Sequence, residues 1–563
     1  VKPSLIELSR VSKAFEPQKP ILHSIDVAFP SGQIIGLVGP DGAGKTTLMR
    51  LIAGLLCPSE GTITVLGKDT VREQTAIYPL MAYMPQRFGL YEDLTVMQNL
   101  SLYADLRSVP KPRQEVFERL LKFTGLDACT DRLAKNLSGG MKQKLGLACS
   151  LITKPKLLLL DEPSVGVDPL SRRELWELVS TLMDEDVSVI WSTAYLDEAE
   201  KCDTVLLLNE GKVLFYGPPS ELTQKVEGRV FSVQLPEHVG RSHLFQNFNT
   251  PNIIDTVFQG QQMRILVKDK KIGVPKGKPV SARFEDAFVD ILGGFKQSES
   301  ELAKLFPVRN DATEFAVQAD HLTKKFGTFT AVNDLSFHIK RGTIFGLLGP
   351  NGAGKTTTFR MICGLLSPTS GTVAIAGLDS QTASSIARAQ IGYMAQKFSL
   401  YGHLTVRQNL EFFAGIYNLS GHEQKQAIEN AIAVFALHTY LNTSADLLPL
   451  GFKRRLSLAC ATMHCPEVLF LDEPTSGVDP LARREFWHHI NGLVEKGVTV
   501  MVTTHFMDEA DYCDRVALIY DGKIIAEETP YTLKETIRSA QYPQPSLEDV
   551  FIHLIEQYAS HTT

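Results

Sequence analysis

Gly39-Pro40-Asp41-Gly42-Ala43-Gly44-Lys45-Thr46-Thr47 returns almost unchanged as Gly349-Pro350-Asn351-Gly352-Ala353-Gly354-Lys355-Thr356-Thr357. The offset from Lys45 to Lys355 is 310 and holds from Gln86 to Gln396; between Leu160-Asp161-Glu162-Pro163 and Leu471-Asp472-Glu473-Pro474 it is 311. A period this long means duplicated domains, not a solenoid. Apolar stretches, Ile34-Ile35-Gly36-Leu37-Val38 and Ile344-Phe345-Gly346-Leu347-Leu348, precede the two loops, and a proline-free helical pattern follows each. Each copy therefore reads as strand, glycine-rich loop, helix.

Such a loop points successive backbone N–H groups at phosphate oxygens, and its small residues let the main chain come close. Gly39, Gly42 and Gly44, with Gly349, Gly352 and Gly354, are the candidate cradle residues, followed by Thr47 and Thr357. Lys45 and Lys355 would neutralise the β- and γ-phosphates of ATP, and Thr46 and Thr356 would ligate Mg²⁺. Asp161 and Asp472, each ending an apolar strand, are placed to hold the metal, and Glu162 and Glu473 suit a general base that polarises the attacking water. Further strands are expected over residues 157–160, 187–191 and 205–208, each after a helix-patterned segment, with counterparts in the second half. That alternation predicts an α/β fold, a parallel-type sheet flanked by helices in each module.

Leu137-Ser138-Gly139-Gly140-Met141-Lys142-Gln143-Lys144 opens a helix of apolar spacing ahead of Asp161. Ser138, Gly139 and Gly140 at a helix N-terminus form an anion site. With this element in place the chain resembles the ATP-binding-cassette ATPases over both modules. The resemblance implies two nucleotide-binding domains with P-loop NTPase folds, each with a helical subdomain, pairing head to tail so that each ATP lies between the phosphate loop of one and the signature of the other. It further implies that Phe15 and Phe326 stack on adenine, that Gln86 and Gln396 link the metal to the transport partner, and that Asp168 and Asp479 lie in D-loops.

Two departures from the family pattern are informative. The second module has Thr503-Thr504-His505-Phe506, with the family's switch histidine, whereas the first has Ser192-Thr193-Ala194-Tyr195. The second signature is Leu448-Pro449-Leu450-Gly451-Phe452-Lys453. Pro449 lacks a serine hydroxyl and an N–H, and Leu450 brings bulk where glycine allowed close approach. Head-to-tail pairing within one chain would gather both losses into one site. Site one would combine Lys45, Asp161, Glu162 and Ala194 with Pro449-Leu450-Gly451. Site two would combine Lys355, Asp472, Glu473 and His505 with Ser138-Gly139-Gly140 and would be the hydrolytic one.

After the shared part the modules diverge. The tail elements Phe284-Glu285-Asp286-Ala287-Phe288 and Leu547-Glu548-Asp549-Val550-Phe551 are offset by only 263, so the first module carries extra residues that include strand-like alternation at 229–235 and 263–267. The expected organisation is a first cassette over 1–217, a β-rich accessory element and linker over 218–313, a second cassette over 314–530 and a tail over 531–563.

The 563 residues, with 44% hydrophobic and 21% charged, are ordinary globular usage. The net charge of −6 gives no global positive field for nucleic acid. No apolar run approaches membrane-helix length, no signal segment opens the sequence, and eight scattered cysteines read as packed thiols. Aromatic and apolar residues after each Q-loop glutamine, Leu90-Tyr91-Glu92-Asp93-Leu94-Thr95 and Leu400-Tyr401-Gly402-His403-Leu404-Thr405, form candidate contacts for a permease helix. That pattern, with the two tails, resembles the drug-resistance branch of cassette ATPases, which implies multidrug efflux through separate ABC-2-type permeases at the cytoplasmic face of a bacterial inner membrane. Two alternatives remain at this point: a ribosome-associated tandem cassette factor, and the tandem ATPase of a sugar importer.

Overall fold

A computed structural model describes residues 4–562 except 17–18, 87–88, 235–249, 260–261, 273–276, 295–298, 310–313, 380–388, 397–399, 505–506 and 540–544. The chain divides into two compact units, Val1–Glu227 with Ser281–Gly293, and Gly228–Val280 with Gly294–Thr563.

In the first unit, strands Ser4–Glu16 and Lys19–Pro30 form a hairpin extended by Glu60–Val65 and Lys68–Asp69. Beside it, a six-stranded sheet runs in the order Lys212–Gly217, Thr204–Asn209, Ile34–Val38, Ser188–Ser192, Leu157–Asp161, Met81–Met84. All its neighbours are parallel except the first pair. Strands Ile34–Val38, Leu157–Asp161 and Ser188–Ser192 are buried at every residue, which is why they read as unbroken apolar runs. The glycine-rich loop and Asp161, the candidate metal ligand, lie at the carboxyl ends of these strands, where open parallel sheets place their ligands. Helices Val96–Leu106, Gln114–Thr124 and Gly139–Ser150 pack together as the helical subdomain. The tail helix Phe284–Ile291 lies against helices Leu196–Glu200 and Pro219–Gln224, with Phe284 and Phe288 fully buried.

The second unit repeats the plan. Its hairpin is Phe315–Phe326 with Phe329–Lys340, and its six-stranded sheet has the order Ile391–Met394, Val468–Asp472, Thr499–Thr504, Ile344–Leu348, Arg515–Tyr520, Lys523–Glu528. Val109 and Leu419 make equivalent backbone bonds at an offset of 310, and Leu126 and Leu437 at 311. The inserted residue therefore falls between Leu419 and Leu437, the stretch that contains helix Gly421–Val434.

This unit also contains the accessory element, a four-stranded antiparallel sheet ordered Ile253–Gln259, Gln262–Val267, Val230–Gln234, Lys278–Pro279. Phe231, Phe258, Met263, Ile265 and Val267 form its core. Asp255 of this sheet meets Arg484 of helix Pro480–Glu495 at 3.0 Å, and both side chains are about 95% buried. Residues 218–313, read from the sequence as one region, are thus shared out: residues 218–227 and the tail helix belong to the first unit, and the sheet and the residues from Gly294 onward to the second.

Among the described residues no helix is long and apolar enough to cross a membrane. All eight cysteines are free, and Cys149, Cys202, Cys460 and Cys513 are buried.

Candidate functional site

Each phosphate loop is built the same way. Gly44 and Gly354 cap helices Lys45–Ile52 and Lys355–Ile362 with φ of 102°, a left-handed conformation costly for any other residue. The capping glycine leaves the first helical N–H groups aimed outward, where a phosphate would sit. Lys45 is buried and its Nζ donates to the carbonyls of Gly39 at 2.7 Å and Pro40 at 3.2 Å; Lys355 donates to Gly349 at 2.8 Å and Pro350 at 2.9 Å. Gly39 and Gly42 in the first loop and Gly349 and Gly352 in the second sit in the turn these lysines close, with Thr47 and Thr357 in the first helical turn.

The hydroxyl of Thr46 donates to Asp161 Oδ1 at 3.3 Å, and Tyr83 donates to Oδ2 at 3.1 Å. In the second unit Asp472 accepts from Thr503 and from Thr356. Burial pushes both aspartates above the ordinary carboxylate range. Among the described residues no cluster of three or more His, Cys, Asp or Glu side chains is placed to hold a metal. A threonine hydroxyl beside one carboxylate is a hard-oxygen pair, and it fits Mg²⁺ completed by phosphate oxygens and water.

The candidate bases come next in the chain. Glu162 and Glu473 hold φ near +50°, rare for a residue with a side chain, and their N–H groups donate to Ser192 at 3.0 Å and Thr503 at 2.9 Å. Gln86 and Gln396 donate through Nε2 to the Oε2 of Glu162 and Glu473, the latter at 2.8 Å. The glutamine amide and the candidate base thus form one hydrogen-bonded unit in each cassette. Glu162 is pushed up to about 7, chiefly by burial, against the opposing pull of Lys45, whose Nζ lies 4.0 Å away.

The signature helices differ as their sequences require. Ser138 caps helix Gly139–Ser150 by accepting from the N–H of Met141 at 3.2 Å, and Gly140 lies where a Cβ would come within 2.5 Å of Ser171. Pro449 stands at the start of helix Leu450–Thr462 with no side-chain cap. The D-loop aspartates cap the next helices: Asp168 accepts from Ser171, and Asp479 from Leu481 and Ala482. Phe15 and Phe326 stand exposed at the ends of the two hairpins, each with a lysine about 5 Å from its ring. Ala194 is buried beside a tight network in which Thr193 donates to Glu198 at 2.6 Å and Trp191 to the same carboxylate at 2.9 Å. His505 lies outside the described residues.

Two sets of residues escaped the sequence reading. Glu198 and Glu509, fully buried, face Arg172 and Arg483 of the helices that follow the D-loops, at 4.0 Å and 3.9 Å. Asn99 and Asn409, also fully buried, each clamp the Leu-Tyr loop: Asn99 Nδ2 donates to the carbonyls of Tyr91, Leu94 and Thr95, and its Oδ1 accepts from the Tyr91 N–H. Asn409 repeats all four bonds around Tyr401. Their recurrence at the repeat offset was the available signal. Tyr91 and Tyr401 remain about half exposed on the loops so held.

The ABC transporter family model matches residues 22–165 and 332–476. The chain is 54% identical to the Escherichia coli K12 protein named probable multidrug ABC transporter ATP-binding protein YbhF, over 99% of this chain and 98% of that one. It is 40% identical to Nod factor export ATP-binding protein I of Paraburkholderia xenovorans LB400, over 39% of this chain and 73% of that one. A solved structure titled as an ATP binding subunit of an ABC transporter matches at a TM-score of 0.40 and 26% identity, covering 43% of this chain and 99% of its own.

Proposed function

The chain belongs to the ABC transporter family, two of whose ATP-binding domains it carries in tandem, and from that premise we propose that it powers export through separate ABC-2-type permeases, using one intact and one weakened ATP site. Its domains are ATPases. The observation that carries the asymmetry is the contrast between the two signature helices, one capped by the Ser138 hydroxyl and the other begun by Pro449 with no cap.

Mg²⁺, held by Thr356 and Asp472 in one site and by Thr46 and Asp161 in the other, would neutralise charge on the β- and γ-phosphates. The loop N–H groups and Lys355 would orient the triphosphate, and Glu473 would take the proton of the water that attacks phosphorus, releasing ADP and phosphate. With Ser138-Gly139-Gly140 supplied by the first cassette, that site has every expected part, including His505. The first cassette's own phosphate loop would face Pro449-Leu450-Gly451 and has Ala194 in place of the histidine. Losing one preorganised donor costs roughly 2.7 to 4 kcal/mol of transition-state stabilisation, or 10² to 10³ in rate.

The export reading is supported by relatives named for multidrug transport and for Nod factor export. It places the chain on the cytoplasmic face of the inner membrane, with its partner permeases carrying the cargo path. Steady-state ATPase rates test the asymmetry: Glu473→Gln should abolish most turnover and Glu162→Gln should remove a minor share. Equal losses would overturn it. Copurification of ABC-2 permeases with the tagged chain from solubilised membranes tests the export reading, and recovery of ribosomes or of importer subunits instead would refute it.

A further inference from the structure

The carboxylate of Glu198 joins three segments of the first cassette's candidate site. Its Oε2 accepts from Thr193 Oγ1 at 2.6 Å and from Trp191 Nε1 at 2.9 Å, and its Oε1 lies 4.0 Å from Arg172 Nε. The Ser164 hydroxyl, two residues beyond Glu162, faces the same carboxylate and favours its charge.

Each of these contacts bears on a group of the candidate machinery. Thr193 Oγ1 also accepts from the Tyr195 N–H at 2.9 Å, so the hydroxyl spans position 194, where the second cassette has His505. The Ser192 carbonyl just before it receives the N–H of Glu162. Arg172 stands in the first turn of helix Pro169–Thr181, its N–H on the Asp168 carbonyl at 2.9 Å. Its guanidinium lies 5.2 Å from the centroid of the Tyr195 ring and 3.1 Å from Asp197. Base, D-loop cap and switch position are thereby tied to one another through a single buried acid.

The second cassette keeps the arrangement at an offset of 311. Glu509 is fully buried with Arg483 at 3.9 Å, the Arg483 N–H donates to the Asp479 carbonyl, and the Glu473 N–H donates to that of Thr503. Thr475 and Thr504, at the positions of Ser164 and Thr193, are buried as well, and Trp191 is replaced by Val502. A buried ion pair is weak as a stabiliser, because apolar residues of like volume serve as well or better. What it supplies here is direction: an acceptor aimed at a hydroxyl and a guanidinium held against a ring. Misplacing reacting groups by about 1 Å costs on the order of 10²-fold in rate.

We propose that Glu509, paired with Arg483, is a positioning residue for hydrolysis in the second cassette, and that Glu198 with Arg172 is its counterpart in the first. The pair acts through the switch segment and the D-loop helix, which it keeps in register with the base. The inference rests on the reading that Glu473 takes the proton of the attacking water.

Steady-state ATPase kinetics of the full chain test this. Glu509→Gln keeps the shape and an acceptor while losing the charge, and it should lower kcat at least ten-fold with KM for ATP within two-fold of wild type. Arg483→Gln should match it, and the double variant should lose less than two-fold more, since both changes break one contact. Glu198→Gln makes the same lesion in the first cassette: it should lower Tm as much as Glu509→Gln does, yet remove no more turnover than Glu162→Gln. Should E509Q not fold, Arg483→Lys, which loses the planar fork, should still lower kcat at least three-fold at unchanged KM. Turnover spared by Glu473→Gln would sink the underlying reading and this one together. With Glu473→Gln inactive, a wild-type kcat for E509Q, a loss carried by KM alone, losses that multiply in the double variant, or a larger share lost at Glu198 than at Glu162 would each overturn the proposal alone.

Discussion

Glu162 combines a left-handed backbone, burial and an ammonium 4.0 Å away, and these have opposite effects on its proton. Burial prevails and holds the carboxyl near 7, above its unfolded value near 4.5. The native state therefore binds more protons than the unfolded one between those values, and stability falls as pH rises from about 4.5 to about 7. Glu162→Gln should flatten that stretch of a plot of Tm against pH. At the signature, Ser138→Ala should lose about 1 kcal/mol through the missing cap, read as a lower Tm, together with a larger fall in ATPase rate. The converse is a gain: Pro449→Ser with Leu450→Gly, in a Glu473→Gln background, should raise residual ATPase at least ten-fold.

The two Leu-Tyr loops owe their shape to single buried amides. Asn99→Ala would strand three carbonyls and one N–H, and the expected cost is about 1–3 kcal/mol, measured as a fall in calorimetric Tm. Asn409→Ala should behave alike. Neither asparagine was legible, because a polar residue inside a helical pattern ordinarily reads as a solvated position. The strand, glycine-rich loop and helix of each module were legible, since a turn that needs left-handed glycines restricts the sequence more than packing does. Of the accessory sheet, only the strands near 229–235 and 263–267 could be read. Strand Ile253–Gln259 was hidden by Asp255, a charge that makes sense only beside Arg484, 229 positions further along the chain. Pro449 at the start of its helix could be read from the letters, and the uncapped helix start follows from it. The strained φ of Glu162 and Glu473 could not be read, because glutamate carries no sign of a left-handed backbone.

Across the whole molecule, duplication kept the ATP machinery and let its surroundings diverge. Both units retain the loop lysine on its two loop carbonyls and the glutamine amide on the following glutamate in matching hydrogen bonds. The departures gather elsewhere: at the signature and in the extra sheet. Compact units do not follow the repeat boundary. Residues 228–280 leave the first cassette for the second, and 281–293 return.

That excursion governs how the polypeptide could be divided. A gene cut after codon 293 would leave Asp255 in the amino-terminal half, its carboxylate deprived of the guanidinium that accompanies it in the dry interface. Both side chains are buried because sheet and helix cover one another, so the cut would uncover that interface on both fragments. Fragment 1–293 should therefore aggregate on size-exclusion chromatography, whereas a version joining 227 to 281 through a short flexible bridge should elute as a monomer. Recombination between such paired modules is then constrained by this crossing sheet, which has to travel with the second half.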